Sequence, residues 1–273
     1  MADVGQIERA TQNRIVKLFR ERLNYDYLGY WEDRPDNSNI EEKEVRKYLS
    51  SRGYNDTLIA RALDKLRSTA NNYSENLYTN NQNVYKLLRF GIGVVENAGE
   101  NNEQVHLIDW ENPEKNNFAI AEEVTIQGNH EKRPDIVLYV NGIALGVLEL
   151  KRSIVSIGDG IRQSIVNQQK GFIQQFFSTI QFVFAGNDTE GLRYGTIDTK
   201  EKYFLKWKED EQDDSMLLLD KYLLKMCDKK RLLEIIYDFV LFDGGYKKLP
   251  RTHQYFGIKA AQEAVRRREG GII

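Results

Sequence analysis

A chain of 273 residues with 39 Lys plus Arg against 41 Asp plus Glu, a formal charge of −2, and 41% hydrophobic residues has the material for a substantial core in one large or two small domains. The near-neutral balance excludes the globally basic signature of small DNA-binding modules, so any nucleic-acid contact must be local. The lone cysteine, Cys227, excludes an internal disulfide framework and a cysteine-based zinc site.

The first residues have neither a basic start nor an apolar signal core, and no apolar run reaches membrane-spanning length, so the expectation is a cytoplasmic protein with no membrane partner. Over 6–23 the apolar positions Ile7, Ala10, Ile15, Val16, Leu18, Phe19 and Leu23 fall at helical spacing and predict an amphipathic first helix, broken by Asn24-Tyr25-Asp26. A polar loop follows. Asn39 with Glu42 three residues on has the form of a capping box opening a helix to about residue 49, and 55–67 predicts another. A further helix is expected over 83–95.

The period then changes. Residues 105–110, 118–126, 135–140 and 143–149 are β-rich runs bounded by Asn, Gly and Pro. After Gly158-Asp159-Gly160 a Gln-rich helix is expected to about residue 177, and 180–185 is a further apolar strand. Helix, strands, helix, strand predicts an α/β sandwich around a mixed sheet. Beyond Asp188 the charge run 208–214 reads as a solvated loop, 216–226 and 231–241 as helices, Phe242-Asp-Gly-Gly245 as a turn, and 255–268 as a basic last helix. The ending Gly270-Gly-Ile-Ile273 resembles the opening of a buried strand, and the chain is expected to be cut from something longer.

Chemistry concentrates in the hairpin 133–152. Two Val/Ile/Leu strands joined by Asn141-Gly142 carry Asp135 at one end and Glu149 and Lys151 at the other. Burying such charges costs several kcal/mol per unpaired ion, by order of magnitude, unless a metal or phosphate offsets them. Two nearby carboxylates stay ionised with a cation between them, and an oxygen-only donor set favours a hard ion, hence Mg²⁺. Lys151, two residues after Glu149, lies on the same strand face and can position a water and offset charge on a pentacovalent phosphate. The combination predicts phosphodiester hydrolysis. It carries a geometric condition: a plain two-residue turn would pair Asp135 with Leu148 and turn Glu149 away. The site therefore requires either a three-residue loop, Val140-Asn141-Gly142 with Gly142 left-handed, or a bulge, for which Gly146 is available.

Pro134-Asp135, thirteen intervening residues, then Glu149-Leu150-Lys151 resembles the PD-(D/E)xK nuclease superfamily. With Val105-His-Leu-Ile-Asp-Trp110 and the stretch 239–265, most of the chain resembles the amino-terminal part of the restriction subunit of type I restriction enzymes. The resemblance implies a PD-(D/E)xK-type mixed sheet flanked by helices, with a helical insertion over about 35–80 and a mostly helical carboxy-terminal extension. It implies an endonuclease domain over 1–195, and over 196–273 a helical linker and the start of a superfamily 2 helicase/ATPase domain. Asp135, Glu149 and the Leu150 carbonyl would ligate Mg²⁺, Lys151 would act on the attacking water, and Glu8 matches the acid that the family often has on its first helix. The family's Gln-x-x-x-Tyr element matches Gln163, but Asn167 stands where Tyr is usual, and Gln168 and Gln169 offer other registers.

The segment Leu249-Pro-Arg-Thr-His-Gln-Tyr-Phe-Gly-Ile258 resembles the adenine-recognising stretch of such motors, with Gln254 as the matching glutamine; without a G-x-x-x-x-G-K-[ST] loop, ATP is expected to be used only by a longer parent subunit. The implied partners are double-stranded DNA and the methyltransferase and specificity subunits of a restriction complex, with Arg133 and Arg152 as local phosphate contacts. His106, His130 and His253 have no metal-ligand spacing. Two other function classes compete with this one: a non-catalytic docking module holding a motor to DNA and partner subunits, and a stand-alone repair nuclease of the same superfamily.

Overall fold

The first helix forms where the apolar spacing places it. In the computed structural model, which describes residues 3–96, 101–209 and 216–268, with side chains from residue 9 onward, α1 spans Asp3–Glu21 and buries Ile15, Val16, Leu18 and Phe19 on one face. The next segment is a strand, β1 (Asp26–Tyr30), where the sequence predicts only a helix break. Its residues are polar or half-exposed and its register slips at Leu28, so no alternation marks it.

Helices α2 (Glu42–Ser51), α3 (Asp56–Ala70) and α4 (Leu77–Phe90) follow. Asn55 caps α3 by accepting from the Leu58 N–H at 3.0 Å. The capping box expected at Asn39 and Glu42 does not form. The Asn39 amide instead donates to the carbonyls of Gln175 and Phe176 and to Ser178 Oγ. Asn76 caps α4, so this helix begins before the expected residue 83. It ends at Gly91, whose φ of 81° only glycine adopts freely. Residues past that glycine belong to a small antiparallel pair, β2 (Ile92–Val94) with β3 (Glu103–Val105), and the strand expected over 105–110 is otherwise irregular.

The main sheet continues with β4 (Phe118–Glu122), β5 (Ile136–Val140) and β6 (Ile143–Leu150), then α5 (Ile157–Asn167), β7 (Phe182–Asn187) and β8 (Gly191–Gly195). The Gln-rich helix is shorter than expected, giving way to turns and a 3-10 segment, Gln174–Ser178. Beyond β8 come α6 (Leu218–Met226), α7 (Lys229–Glu234) running into a π-helical turn (Ile235–Phe239), the hairpin β9 (Leu241–Asp243) and β10 (Tyr246–Lys248), and α8 (Thr252–Arg266). The ending at 270–273 and most of the acidic run lie outside the described residues.

Six strands form one mixed sheet in the order β1-β4-β5-β6-β7-β8. β4, β5 and β6 are consecutive antiparallel neighbours, whereas β1 joins β4 and β7 joins β6 in parallel. One face packs on α1 and the helical segments, through Ile120, Leu138, Leu148 and Phe184. The other carries Val137, Val147 and Val183, and Ala185 packs on α5 through Ile157 and Ile161. With both faces covered, β4 to β7 are buried along their whole length, which explains their unbroken apolar runs. Trp207, Leu219, Leu223, Leu233 and Tyr255 join the same apolar cluster as α1. Among the described residues no helix is long and apolar enough to cross a membrane.

Candidate active site

The hairpin meets its geometric condition through a bulge. Asn141 and Gly142, with φ of 52° and 82°, make a two-residue turn of the left-handed kind that matches strand twist, and Val140 pairs with Ile143 and Tyr139 with Ala144. The register then slips by one residue at Leu145, so that Leu138 pairs with Gly146 and Ile136 with Leu148. Continued one step, that register sets Asp135 opposite Glu149 on one face, with Lys151 two residues further on the same side. Of the two devices that the sequence allows, the chain uses the bulge beside Gly146; the three-residue loop is not formed.

The turn is also a structural anchor. Asn141 is fully buried; its amide donates to the Leu107 carbonyl and to Asn116 Oδ1, and its oxygen accepts from the Asn117 N–H at 2.7 Å. A Cβ on Gly142 would lie 2.8 Å from the Val45 nitrogen. The hairpin tip is thereby clamped against α2 and the loop before β4.

At the opposite end of the hairpin, Asp135 Oδ2 accepts from the Leu150 N–H at 2.6 Å. The N–H and C=O of a strand residue point to the same side, so the Leu150 carbonyl is directed toward Asp135, past the start of β5. Glu149 is 1% exposed. Burial first, and then the negative charge of Asp135, push its carboxyl well above the ordinary range, while Lys151 pulls it back. Gln163, in the second turn of α5, joins the set: its Nε2 donates to Glu149 Oε2 at 2.7 Å, and its Oε1 accepts from Lys151 Nζ at 2.8 Å. A single amide thus fixes an acid and a base that both arise from β6.

The other glutamines near the end of α5 are placed differently. Gln168 is buried, donating to the Ser164 carbonyl and accepting from the Asp198 N–H, and Gln169 is exposed. Asn167, at the position where the related element has Tyr, reaches Glu149 Oε1 at 3.4 Å, and its own oxygen is buried without a hydrogen-bond partner among the described residues. Gly160 permits this approach of α5: a Cβ there would stand 3.3 Å from Ala185 Cβ, 3.4 Å from Lys151 Cγ and 3.5 Å from Glu149 Cβ. In the sequence Gly160 is only a turn signal; its closeness to β6 depends on a pairing that no local pattern encodes.

An open cleft of about 620 Å³ lies where β4 ends, β5 begins and β6 ends, lined by Asp135, Lys151 and Gln163 together with Arg9, Gln12, Glu123, Glu131, Lys132 and Arg133. Arg133 is the expected basic residue here, whereas Arg9 on α1 and Lys132 are cleft residues that helix and loop patterns do not single out. Glu8 falls on α1, but its side chain lies outside the described residues. Arg133 is ion-paired to Glu123 at 2.8 Å and to Glu32, and Arg152 is half-buried directly after Lys151. Gln254 lies elsewhere, in the first turn of α8, where its side-chain oxygen accepts from the Arg251 N–H at 2.9 Å.

No three His, Cys, Asp or Glu side chains among the described residues converge to hold a metal ion. What the register brings to one face is smaller and purely oxygen: the carboxylates of Asp135 and buried Glu149, with the Leu150 main chain beside Asp135. That donor set fits a hard, largely hydrated cation better than a closed protein cage.

Residues 5–202 match the family described as type I restriction enzyme R protein N terminus. The chain is 29% identical over 225 residues, 78% of its length, to a Methanocaldococcus jannaschii protein assigned by name to the endonuclease subunit of type I restriction enzyme MjaVIIIP, covering 20% of that protein. It is 29% identical over 206 residues, 69% of its length, to the type I restriction enzyme HindI endonuclease subunit of Haemophilus influenzae, covering 19% of it. The chain therefore spans about one fifth of the length of these relatives.

Proposed function

We propose, from the premise that the chain belongs to the family of type I restriction enzyme R protein N termini, that it is the endonuclease part of such a subunit and hydrolyses phosphodiester bonds of double-stranded DNA with Mg²⁺. The observation that supports this most is the shared face of Asp135, Glu149 and Lys151, produced by the bulge and locked by Gln163. The fold is read accordingly as a PD-(D/E)xK-type sheet, with residues 1–195 as the nuclease domain and 196–273 as a linker and the beginning of a helicase/ATPase domain.

Asp135, Glu149 and the Leu150 carbonyl would hold Mg²⁺, which supplies a Lewis acid for charge on the phosphate and for the nucleophilic water. The remaining steps belong to the chain's own groups. Lys151, its ammonium held by Gln163, orients the water and offsets charge as the phosphorus becomes five-coordinate. Gln163 also keeps the Glu149 carboxylate turned toward Asp135. Gly160 lets α5 sit close enough for both contacts. Glu8 is the further acid on α1, and Gln254 contacts adenine in the parent subunit, where ATP is used. The partners in this reading are the methyltransferase and specificity subunits, and the setting is cytoplasmic.

Cleavage by the full-length complex is the test. Asp135→Ala or Lys151→Ala should each lower cutting by at least about 10²-fold while ATP hydrolysis persists. Cutting retained with either substitution removes the nuclease assignment.

A further inference from the structure

β4 ends at Glu122, a carboxylate whose side chain is only 4% exposed, beside the cleft. Both of its oxygens are satisfied by neutral donors: Gln12 Nε2 to Oε2 at 2.9 Å, and Tyr27 OH to Oε1 at 2.6 Å. Arg9 faces the same carboxylate at 3.5 Å, an electrostatic contact longer than a hydrogen bond. Its guanidinium also lies over the Tyr30 ring, 4.8 Å from the centroid.

A second register slip builds this mount. Tyr27 pairs with Ile120 and Tyr30 with Glu122, with an extra residue between them. Alternation alone would put residues 27 and 30 on opposite faces; the slip places both tyrosines on the α1 side. Glu122 and Tyr30 therefore meet on one arginine, and Gln12 and Tyr27 fix Glu122 from behind. Arg9 is 43% exposed, lines the cleft with Asp135, Lys151 and Gln163, and makes no hydrogen bond among the described residues. Arg133, on the same cleft, is already committed to two glutamates. Glu122 and Tyr30 hold the position of the Arg9 guanidinium while leaving its five N–H donors for an anion of fork-compatible geometry.

We propose that Arg9 grips a non-bridging phosphate oxygen of the DNA strand lying in the cleft, with Glu122, Gln12, Tyr27 and Tyr30 as its mount. This rests on the nuclease reading and adds to it a substrate-binding residue on α1, across the cleft from α5.

The experiment is a titration of the chain against a short labelled duplex at a series of salt concentrations, with Ca²⁺ replacing Mg²⁺, followed by anisotropy. Arg9→Ala is expected to weaken binding about 10-fold and to reduce the slope of log K against log salt by about one. Arg9→Lys should keep most of the slope but lose affinity, because a point charge cannot replace the fork. Arg9→Gln, polar and uncharged, should behave as Arg9→Ala and guards against an effect of the truncation on folding, read from Tm. An unchanged slope in both Arg9→Ala and Arg9→Gln overturns the proposal, as does an absence of duplex binding by the unsubstituted chain at the lowest salt. The two readings fail separately: if Asp135→Ala abolishes cutting by the full-length complex while Arg9→Ala binds and cuts normally, only the arginine assignment falls. If Asp135→Ala cuts normally, the nuclease reading falls.

Discussion

Glu149 is the residue on which stability and chemistry pull in opposite directions. It is buried, faces Asp135, and is relieved by hydrogen bonds from Gln163 and Asn167 and by the charges of Lys151 and, more weakly, Lys132. Because its pKa in the folded chain is raised, the folded state holds a proton that the unfolded chain releases near pH ~4.3. The sign follows: this residue's contribution is fully present below that pH and is lost as pH rises through the folded value. Without divalent metal, Glu149→Gln should therefore stabilise the chain at neutral pH by about 1–2 kcal/mol, roughly 3–6 °C in Tm. It should also flatten the decline of Tm between acidic and neutral pH, and abolish the rise in Tm that the proposed Mg²⁺ binding predicts for the unsubstituted chain. Thermal scans across pH with and without Mg²⁺ read all three. A lower Tm for Glu149→Gln would mean that the ionised acid is already fully compensated.

At the scale of elements, legibility depended on whether the signal was local. The apolar runs of β4 to β7 and the amphipathic faces of α1 and α3 stand in the sequence because burial on one or both faces imposes them, and the three charges of the hairpin stand out because they break that apolar pattern. β1 did not, since its five residues are exposed or half-exposed, lack alternation and slip by one in register. β8, β9 and β10 were likewise invisible: β8 is short, sits at the sheet edge and is rich in glycine, and the other two are three-residue strands. Asn39 was misread because its sequence context describes a helix start, whereas a distant loop takes its side chain. In the site, Asp135, Glu149 and Lys151 were readable from charge and Gln163 from resemblance. Arg9, Gln12 and Gly160 enter only through tertiary approach.

Two glycines test how tightly elements must meet. Gly142→Ala adds strain at a φ of 82° and a Cβ 2.8 Å from the Val45 nitrogen and 2.9 Å from the Glu41 oxygen, so it should cost ~2–3 kcal/mol in denaturant unfolding. A loss under about 0.5 kcal/mol would show that the tip shifts freely and is not clamped. Gly160→Val should act differently, pushing α5 from β6 by tenths of an ångström. Its expected signature is a fall in cleavage rate of ~10-fold or more with substrate affinity little changed, since misplacement of positioned groups acts on the rate. Equal losses in rate and affinity would contradict the role given to α5.

On the scale of the whole molecule, the residues after 195 share their packing with those before. Tyr25 on the approach to β1 donates its hydroxyl to the Cys227 carbonyl at 2.8 Å, and Lys247 on β10, fully enclosed, donates to Asn81 Oδ1, Gln181 Oε1 and the Ile180 carbonyl. Burial lowers the Lys247 pKa well below the usual value for lysine and raises that of the Cys227 thiol. A buried, protonated thiol reacts only when its surroundings open. Cys227 is therefore expected to resist a thiol reagent in native buffer and to become reactive over the same denaturant range in which far-ultraviolet circular dichroism is lost. Labelling at clearly lower denaturant would show that the carboxy-terminal part opens first.

The bulge at Leu145 makes the hairpin sensitive to parity. Removing or inserting one residue anywhere between Ile136 and Leu148 exchanges the inward and outward sides of whatever lies beyond the change, so Glu149 and Lys151 leave Asp135 together even though no functional residue has been altered. A second change of one residue on the same strand restores the side while displacing the pair lengthwise by a full repeat. What the hairpin must preserve is thus less the letters of the two strands than the combined count of residues from acid to acid, whose oddness or evenness has to stay in step with the number of bulges.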